Sequence, residues 1–383
     1  MHRGEGFMAN IDLTHAPYGD LAIISMKGTE EIAKQVDYYL KQWRGEPEEG
    51  TFVIPANCPR FGTGEAKGVF KHSARGLDAY IICDCFNHGV TYKMYGKEVP
   101  MSPDDHYADL KRVIASFGGK ARRVNVIMPM LYEGRQHRRT SRESMDCALM
   151  LQELIGMGVE NFITFDAHDP RVQNAIPLDG FDNVQAAYQM IKALLRSVPD
   201  IELDAEHTMI VSPDEGGMGR CIYYSSVLGL DLGMFYKRRD YSTIVDGKNP
   251  IVAHEFLGKD VTGMDLILVD DMISSGESML DIAAKMKAKG ARRIFIFSTF
   301  GLFVNGLETF DKYYADGLID KVFTTNLIYN TPELLTREWY CNVNMSKYIS
   351  LLVDTINCDN SISKLLDPAD KIHAVVAKHK EGK

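Results

Sequence analysis

The stretch LILVDDMISSGES, residues 266–278, runs four apolar residues into two adjacent aspartates and then into a loop of serine and glycine. The segment that follows, ESMLDIAAKMKAKGA (277–291), places Met279, Ile282, Ala283 and Met286 on one helical face, with Gly290 as the stop. RIFIFSTF (293–300) then returns to a continuous apolar run. Strand, loop, helix and strand in that order form a βαβ unit, the building block of a parallel sheet covered by helices. In such sheets, ligands bind beyond the carboxyl ends of the strands. Asp270 and Asp271 are expected at that end, with Ser274 to Ser278 turning into the helix. Two readings fit these residues. In one, the helix N-terminus holds a phosphate while the aspartates meet sugar hydroxyls or Mg²⁺; in the other, they are plain strand-end carboxylates beside a serine N-cap.

The same alternation extends over the whole chain. LAIISM (21–26), DAYIICDC (78–85), VNVIMPM (124–130) and FITFDA (162–167) form one series of short apolar runs. TMIVSP (208–213), LGMFY (232–236), LILVDD (266–271), RIFIFSTF and KVFTTNLIY (321–329) form a second. Continuous rather than alternating runs suit strands buried on both faces. The fold class is α/β, with mainly parallel sheets flanked by helices. The series splits at 178–200, where turn residues and charge gather, so two domains are expected, 1–180 and 181–383. HAVVAKHKEGK (373–383) reads as a partly helical basic tail.

Composition narrows the function. A formal net charge of −9 on 383 residues leaves no global basic excess for nucleic acid or an anionic membrane surface. Seven scattered cysteines form no disulfide framework and point to a reducing, cytoplasmic setting. Cys83 and Cys85 lack a second pair that would complete a zinc site. No signal-peptide core and no run of membrane-spanning length are expected.

Four further segments carry chemistry. In MPMLYEGRQHRRTSRES (128–144), Arg135, Gln136, Arg138, Arg139 and Arg142 crowd a strand-to-helix junction, either as a solvated basic face or as forks for phosphate oxygens. In TFDAHDPRVQ (164–173), His168 stands between Asp166 and Asp169, a candidate metal ligand or base. In VSPDEGGMGR (211–220), Asp214 precedes a glycine turn able to cradle an anion. FYKRRDYSTIVDGKNP (235–250) ends a strand on Lys237, Arg238 and Arg239. Cations at the base of such a loop suit phosphoryl transfer.

In this order, RQHR, DAHDPRVQ, SPDEGGMGR, KRR and DDMISSGES resemble the motif series of the ribose-phosphate pyrophosphokinase (PRPP synthetase) family. RFGTGEAKGVFKHSARGLDAYII (60–82) is similar to that family's R-F-S-D-G-E segment, and the likeness covers roughly 50–365. The resemblance implies two similar phosphoribosyltransferase-like domains, the first binding ATP and the second carrying the sugar-phosphate loop. It implies that Arg135 and Gln136 hold ATP, and that Thr63, Gly64 and Glu65 enter the adenine pocket of a neighbouring subunit. It implies Mg²⁺ at His168 and Asp214, and catalysis by Lys237 with Arg239 as its partner. Asp270, Asp271, Ser274, Ser275, Gly276, Glu277 and Ser278, together with Arg239, are implied to bind ribose 5-phosphate. Loop 240–256 would close over the site. A dimer-based hexamer is implied, with Ser361 and Ser363 of NSISKLLD (360–367) near a regulatory site. The sequence departs from the family pattern at Gly62, Thr63, His137 and Ser274. The remaining alternatives are a catalytically silent homologue and a PRPP-using phosphoribosyltransferase.

Overall fold

The computed structural model describes residues 16–45, 49–239 and 251–382, with the backbone alone at 237–239 and 251–254. The side chains of Lys237 and Arg239, and loop residues 240–250, lie outside the described residues. The chain divides into two compact units: Met1–Thr164, Asp169–Val184 and Ser346–Asp367 form the first, and Phe165–His168, Gln185–Met345 and Pro368–Lys383 the second. The expected division at 180/181 treats them as consecutive halves, whereas the units interleave.

In the first unit, β1 (Asp20–Ser25), α1 (Glu30–Arg44), β2 (Val53–Pro55) and β3 (Leu77–Ile82) lead to a hairpin of β4 (Thr91–Met94) and β5 (Lys97–Pro100). Then come α2 (Pro103–Ser116), β6 (Arg123–Ile127), α3 (Asp146–Gly156), β7 (Asn161–Phe165) and β8 (Gly180–Val184). The sheet order is β2-β1-β3-β6-β7-β8, and the hairpin forms a small sheet of its own. β8 occupies part of the stretch read from sequence as turn and charge. α2 starts where its sequence says it should: Pro103 follows Ser102, whose side chain and that of Asp105 form a reciprocal capping box.

The second unit runs α4 (Ala187–Ser197), β9 (Thr208–Ser212), α5 (Met218–Leu228), β10 (Asp231–Arg239), β11 (Ile251–Leu257) and β12 (Asp265–Ile273). It continues with α6 (Glu277–Ala288), β13 (Arg293–Gly301), α7 (Glu308–Ala315), β14 (Lys321–Thr325) and β15 (Tyr340–Val343). Its order is β11-β10-β9-β12-β13-β14-β15. Leu266 to Val269 are buried on both faces, and the α6 residues Met279, Ile282, Ala283 and Met286 pack beneath them as the helical pattern requires. α8 (Ser346–Asn357) and α9 (Ser363–Leu366) return to the first unit. There, Asp354 accepts from Arg44 at 2.7 Å. The terminal α10 (Ala369–Glu381) packs on α4 and α5 of the second unit.

Setting β11 aside, the two sheets share one strand order. In each, the second strand in the sheet connects through a helix in one direction and the third in the other, at β1/β3 and at β9/β12. Such switch points open a crevice at the carboxyl ends of the strands. The amino ends match as well. Asp78 stands in register with Arg123, and Asp265 with Arg293. Arg123 donates to both Asp78 oxygens, Nε at 2.8 Å and Nη2 at 2.7 Å. Asp265 takes Arg293 Nη2 at 2.7 Å and Arg292 Nε at 2.8 Å. Both carboxylates are fully buried, and a buried charge of this kind requires paired hydrogen bonds.

Candidate active site

β12 does not end at the aspartates. β9 pairs with it only as far as Leu268, while β13 accompanies it to Ile273. Asp270 and Asp271 therefore lie within a strand that has lost one neighbour, a correction to their expected place at its tip. The freed edge gives both carboxylates room for partners other than a ladder.

The loop that follows also corrects one sequence reading. Gly276, not a serine, occupies the N-cap of α6, at φ 84°, and no side chain caps the helix. Ser275 Oγ accepts weakly from the Glu277 N–H at 3.4 Å. The turn is thus Ser274 to Gly276, with Glu277 and Ser278 in the first helical turn. A Cβ at Gly276 would stand 2.3 Å from the Phe310 ring, so both sterics and backbone require glycine. The uncapped N–H groups are left for solvent or for an anion.

On the neighbouring strand, β9 ends in Ser212, and Asp214 Oδ1 accepts from the N–H groups of Gly216 at 3.0 Å and Gly217 at 3.2 Å. This turn starts α5, and Arg220 follows one turn in. Arg220 Nε donates to both Asp166 oxygens at 2.8 Å, and its Nη1 lies 3.9 Å from Asp270 Oδ1. Thr299 Oγ1 donates to Asp166 Oδ2 at 2.6 Å. Asp166 holds a left-handed backbone, φ 42°, two residues before His168. His168 Nδ1 lies 2.6 Å from Asp271 Oδ2. All of these groups belong to the second unit, because Phe165–His168 groups with it.

The electrostatics follow from burial and partners. Burial, then the Asp271 charge beside it, push the Asp270 carboxyl well above the usual carboxylate range, and Arg220 only partly offsets this. Burial also pushes Asp271 upward, but the His168 hydrogen bond and Arg220 outweigh it and hold Asp271 down. The Asp271 hydrogen bond raises His168, against burial. Burial raises Asp166 despite Arg220. Burial alone would lower Arg220, yet the three aspartates hold it up as a permanent cation. Asp270 is therefore the carboxylate that would gain most from an arriving cation or hydroxyl donor.

Of the expected residues, the structure brings His168, Asp270 and Asp271 into one cluster, with the loop 274–278 continuing from its strand and Asp214 on the adjoining strand's loop. Thr63, Gly64 and Glu65 lie in the first unit, in an exposed turn closed by Phe61 N–H to Glu65 O at 2.7 Å, with Thr63 Oγ1 donating to Glu65 Oε2 at 2.7 Å. Arg135 and Gln136 are exposed in the segment after β6. Neither they nor Arg138, Arg139 and Arg142 form a side-chain hydrogen bond or ion pair among the described residues. His137 Nε2 lies 3.5 Å from Asp169, a carboxyl that Arg171 pulls down to about 2. Sequence reasoning missed Asp166, Arg220 and Thr299 as members of the cluster. The arginine closing SPDEGGMGR was the available signal.

Two family models match: the N-terminal domain of ribose phosphate pyrophosphokinase over residues 21–158, and the phosphoribosyl synthetase-associated domain over 241–367. A ribose-phosphate pyrophosphokinase from Ureaplasma parvum is 31% identical over 82% of this chain and 85% of its own length. One from Pasteurella multocida is 25% identical over 90% of this chain and 99% of its own. The solved phosphoribosylpyrophosphate synthetase from Mycobacterium smegmatis superposes with a TM-score of 0.70 at 19% identity, covering 88% of this chain and 98% of that one. At that identity the likeness is one of fold, an α/β architecture of mainly parallel sheets flanked by helices.

Proposed function

The chain belongs to the ribose-phosphate pyrophosphokinase family of enzymes, and from that premise we propose that it transfers the β,γ-diphosphoryl group of ATP to the 1-hydroxyl of ribose 5-phosphate. The anomeric oxygen attacks the β-phosphorus, the bond to the α-phosphate bridge breaks, AMP leaves, and the hydroxyl proton is released. The observation that carries this reading is the pairing of carboxylates on a freed strand edge with an uncapped helix start behind an obligatory glycine. The uncapped N–H groups of α6, with the hydroxyls of Ser275 and Ser278, suit the 5-phosphate. Asp270 and Asp271 suit ribose hydroxyls, which donate to carboxylates. Arg135 and Gln136 are the proposed ATP contacts, together with Thr63, Gly64 and Glu65 from a second copy of the chain. Lys237 and Arg239 are the proposed cations for charge building on the transferring group.

Mg²⁺ fits this set. Asp214 offers a hard oxygen donor, and Asp270 carries a carboxyl whose ionisation a nearby cation would favour. His168 has its ring oriented by Asp271, as a ligating imidazole requires. His168 and Asp214 would hold the ion, whose chemistry is to neutralise charge on the polyphosphate. Arg220, locked to Asp166, offsets the mutual repulsion of the three aspartates.

The test is product analysis with purified protein, ATP, Mg²⁺ and ribose 5-phosphate. AMP and PRPP forming only when the sugar phosphate is present is the expected result. ATP bound without product would indicate a silent homologue, and PRPP consumption alone a phosphoribosyltransferase. In the same assay, Lys237→Ala should slow turnover by about 100-fold or more while ribose 5-phosphate binding stays intact; unchanged turnover would remove Lys237 from the mechanism.

A further inference from the structure

The acidic cluster sits at the β9/β12 switch point of the second unit, and the first unit has its own switch point at β1/β3. A cavity of about 620 Å³ opens beside the carboxyl ends of β1 and its neighbour β2, within the usual range for small-molecule sites. Its walls come from Met26–Lys27 just past β1, the 57–71 excursion, the β4 strand and the first turns of α2. We propose that this cavity is a second small-molecule site, built for an organic phosphate of nucleoside-monophosphate size.

Three observations carry the proposal. The first is position, at the carboxyl ends of the paired strands β1 and β2, and none of the residues assigned to diphosphoryl transfer lines it. The second is charge. Lys27, Arg60 and Lys71 line the cavity against a single carboxylate, Asp109. Arg60 is engaged by Asp109 at 2.9 Å, but Asp109 is shared with Arg112 at 2.7 Å. Lys27 donates to the Thr91 carbonyl and meets no carboxylate, and Lys71 has no hydrogen bond or ion pair among the described residues. His106, which also lines the cavity, is lowered by burial and adds no charge. The surplus is positive, the opposite of the chain as a whole.

The third observation is an orphan. The Arg60 side chain is only 9% exposed, and its Nε–H is buried with no acceptor among the described residues. A buried charged donor left unmatched is costly, and an incoming oxygen anion would satisfy it. The same guanidinium stacks 4.7 Å over the Tyr92 ring, giving the cavity a planar wall beside its cations. Apolar lining from Met26, Val69 and Met101 accommodates the body of the ligand.

Hydrogen–deuterium exchange on the full chain tests this with AMP and adenosine as probes. At AMP tenfold above its Kd, exchange across residues 56–60 should slow roughly tenfold, and adenosine should leave it unchanged. Lys71→Glu, an exposed substitution, should weaken the AMP effect by about tenfold or more while turnover stays as in the wild type. Exchange unaffected by AMP, or slowed equally by adenosine, or slowed equally in Lys71→Glu, would overturn the site.

Discussion

The two sheets share a strand order and carry the same buried aspartate–arginine lock at their amino edges, while their carboxyl edges hold different residues. Counting from Asp78 and Asp265, the fifth and sixth residues are Cys83 and Asp84 in one sheet and Asp270 and Asp271 in the other. In the second unit, these positions face an arginine, a histidine and an uncapped helix start. In the first, Cys83 and Cys85 bring their sulfurs to 3.7 Å, and Asp84 caps the Phe86 N–H at 2.9 Å. All seven cysteines are free thiols, and the contact with Cys83, then burial, push the Cys85 thiol up, away from a reactive thiolate. One edge of each sheet thus secures the fold, and the other is open to vary.

The largest effect is expected at Gly276, the start of α6. Gly276→Ala drives a methyl into Phe310 and demands φ 84° of an L-residue, so the α6 start must shift. PRPP formation should fall by about 100-fold or more, since a displacement of an ångström at a reacting centre costs that much. Steady-state kinetics checks it, and near-normal turnover would mean that the loop is not the acceptor site.

At the amino edges, the effect is on stability. Arg123→Ala leaves Asp78 buried without its bidentate partner and should cost about 3–5 kcal/mol in urea unfolding. Arg293→Ala leaves Arg292 on Asp265, so about 1–2 kcal/mol is expected. Equal losses would show that the two locks are not the paired and doubled versions described here.

A smaller effect appears in acid. Burial pushes Asp265 up, but Arg292 and Arg293 outweigh it and hold the carboxyl below its ordinary 3.8. A carboxylate depressed in the folded state adds stability that is complete above 3.8 and is lost as pH falls through the lower folded value. Removing both arginines leaves burial unopposed, so acid unfolding should begin at higher pH. An unchanged acid midpoint would separate Asp265 from the acid response.

Much of this was legible in the sequence, because local pattern carries it. Continuous apolar runs marked the central strands, the Met279–Met286 face marked α6, and the ordered motifs marked the loops. The edge elements β2, β8 and β15 were not read, being short and mixed in polarity. The interleaving of the units was also hidden, since α8 is an ordinary amphipathic helix whose destination is set by distant partners such as Arg44. Arg220 joins Asp166 across 54 residues, and Thr299 joins it across 133. No local spacing encodes such pairs. Among the described residues, no helix is long and apolar enough to cross a membrane.

The most direct measurement compares Asp271→Asn with Asp84→Asn in one PRPP-forming assay, because these residues hold matching positions in the two sheets. Asp271→Asn should lose about 100-fold or more in turnover, having lost the charge that holds His168. Asp84→Asn keeps the carbonyl oxygen that accepts from Phe86 and should stay within about twofold of wild type. Equal losses in both variants, or a loss confined to Asp84→Asn, would contradict the assignment of acceptor chemistry to the second unit's carboxyl edge.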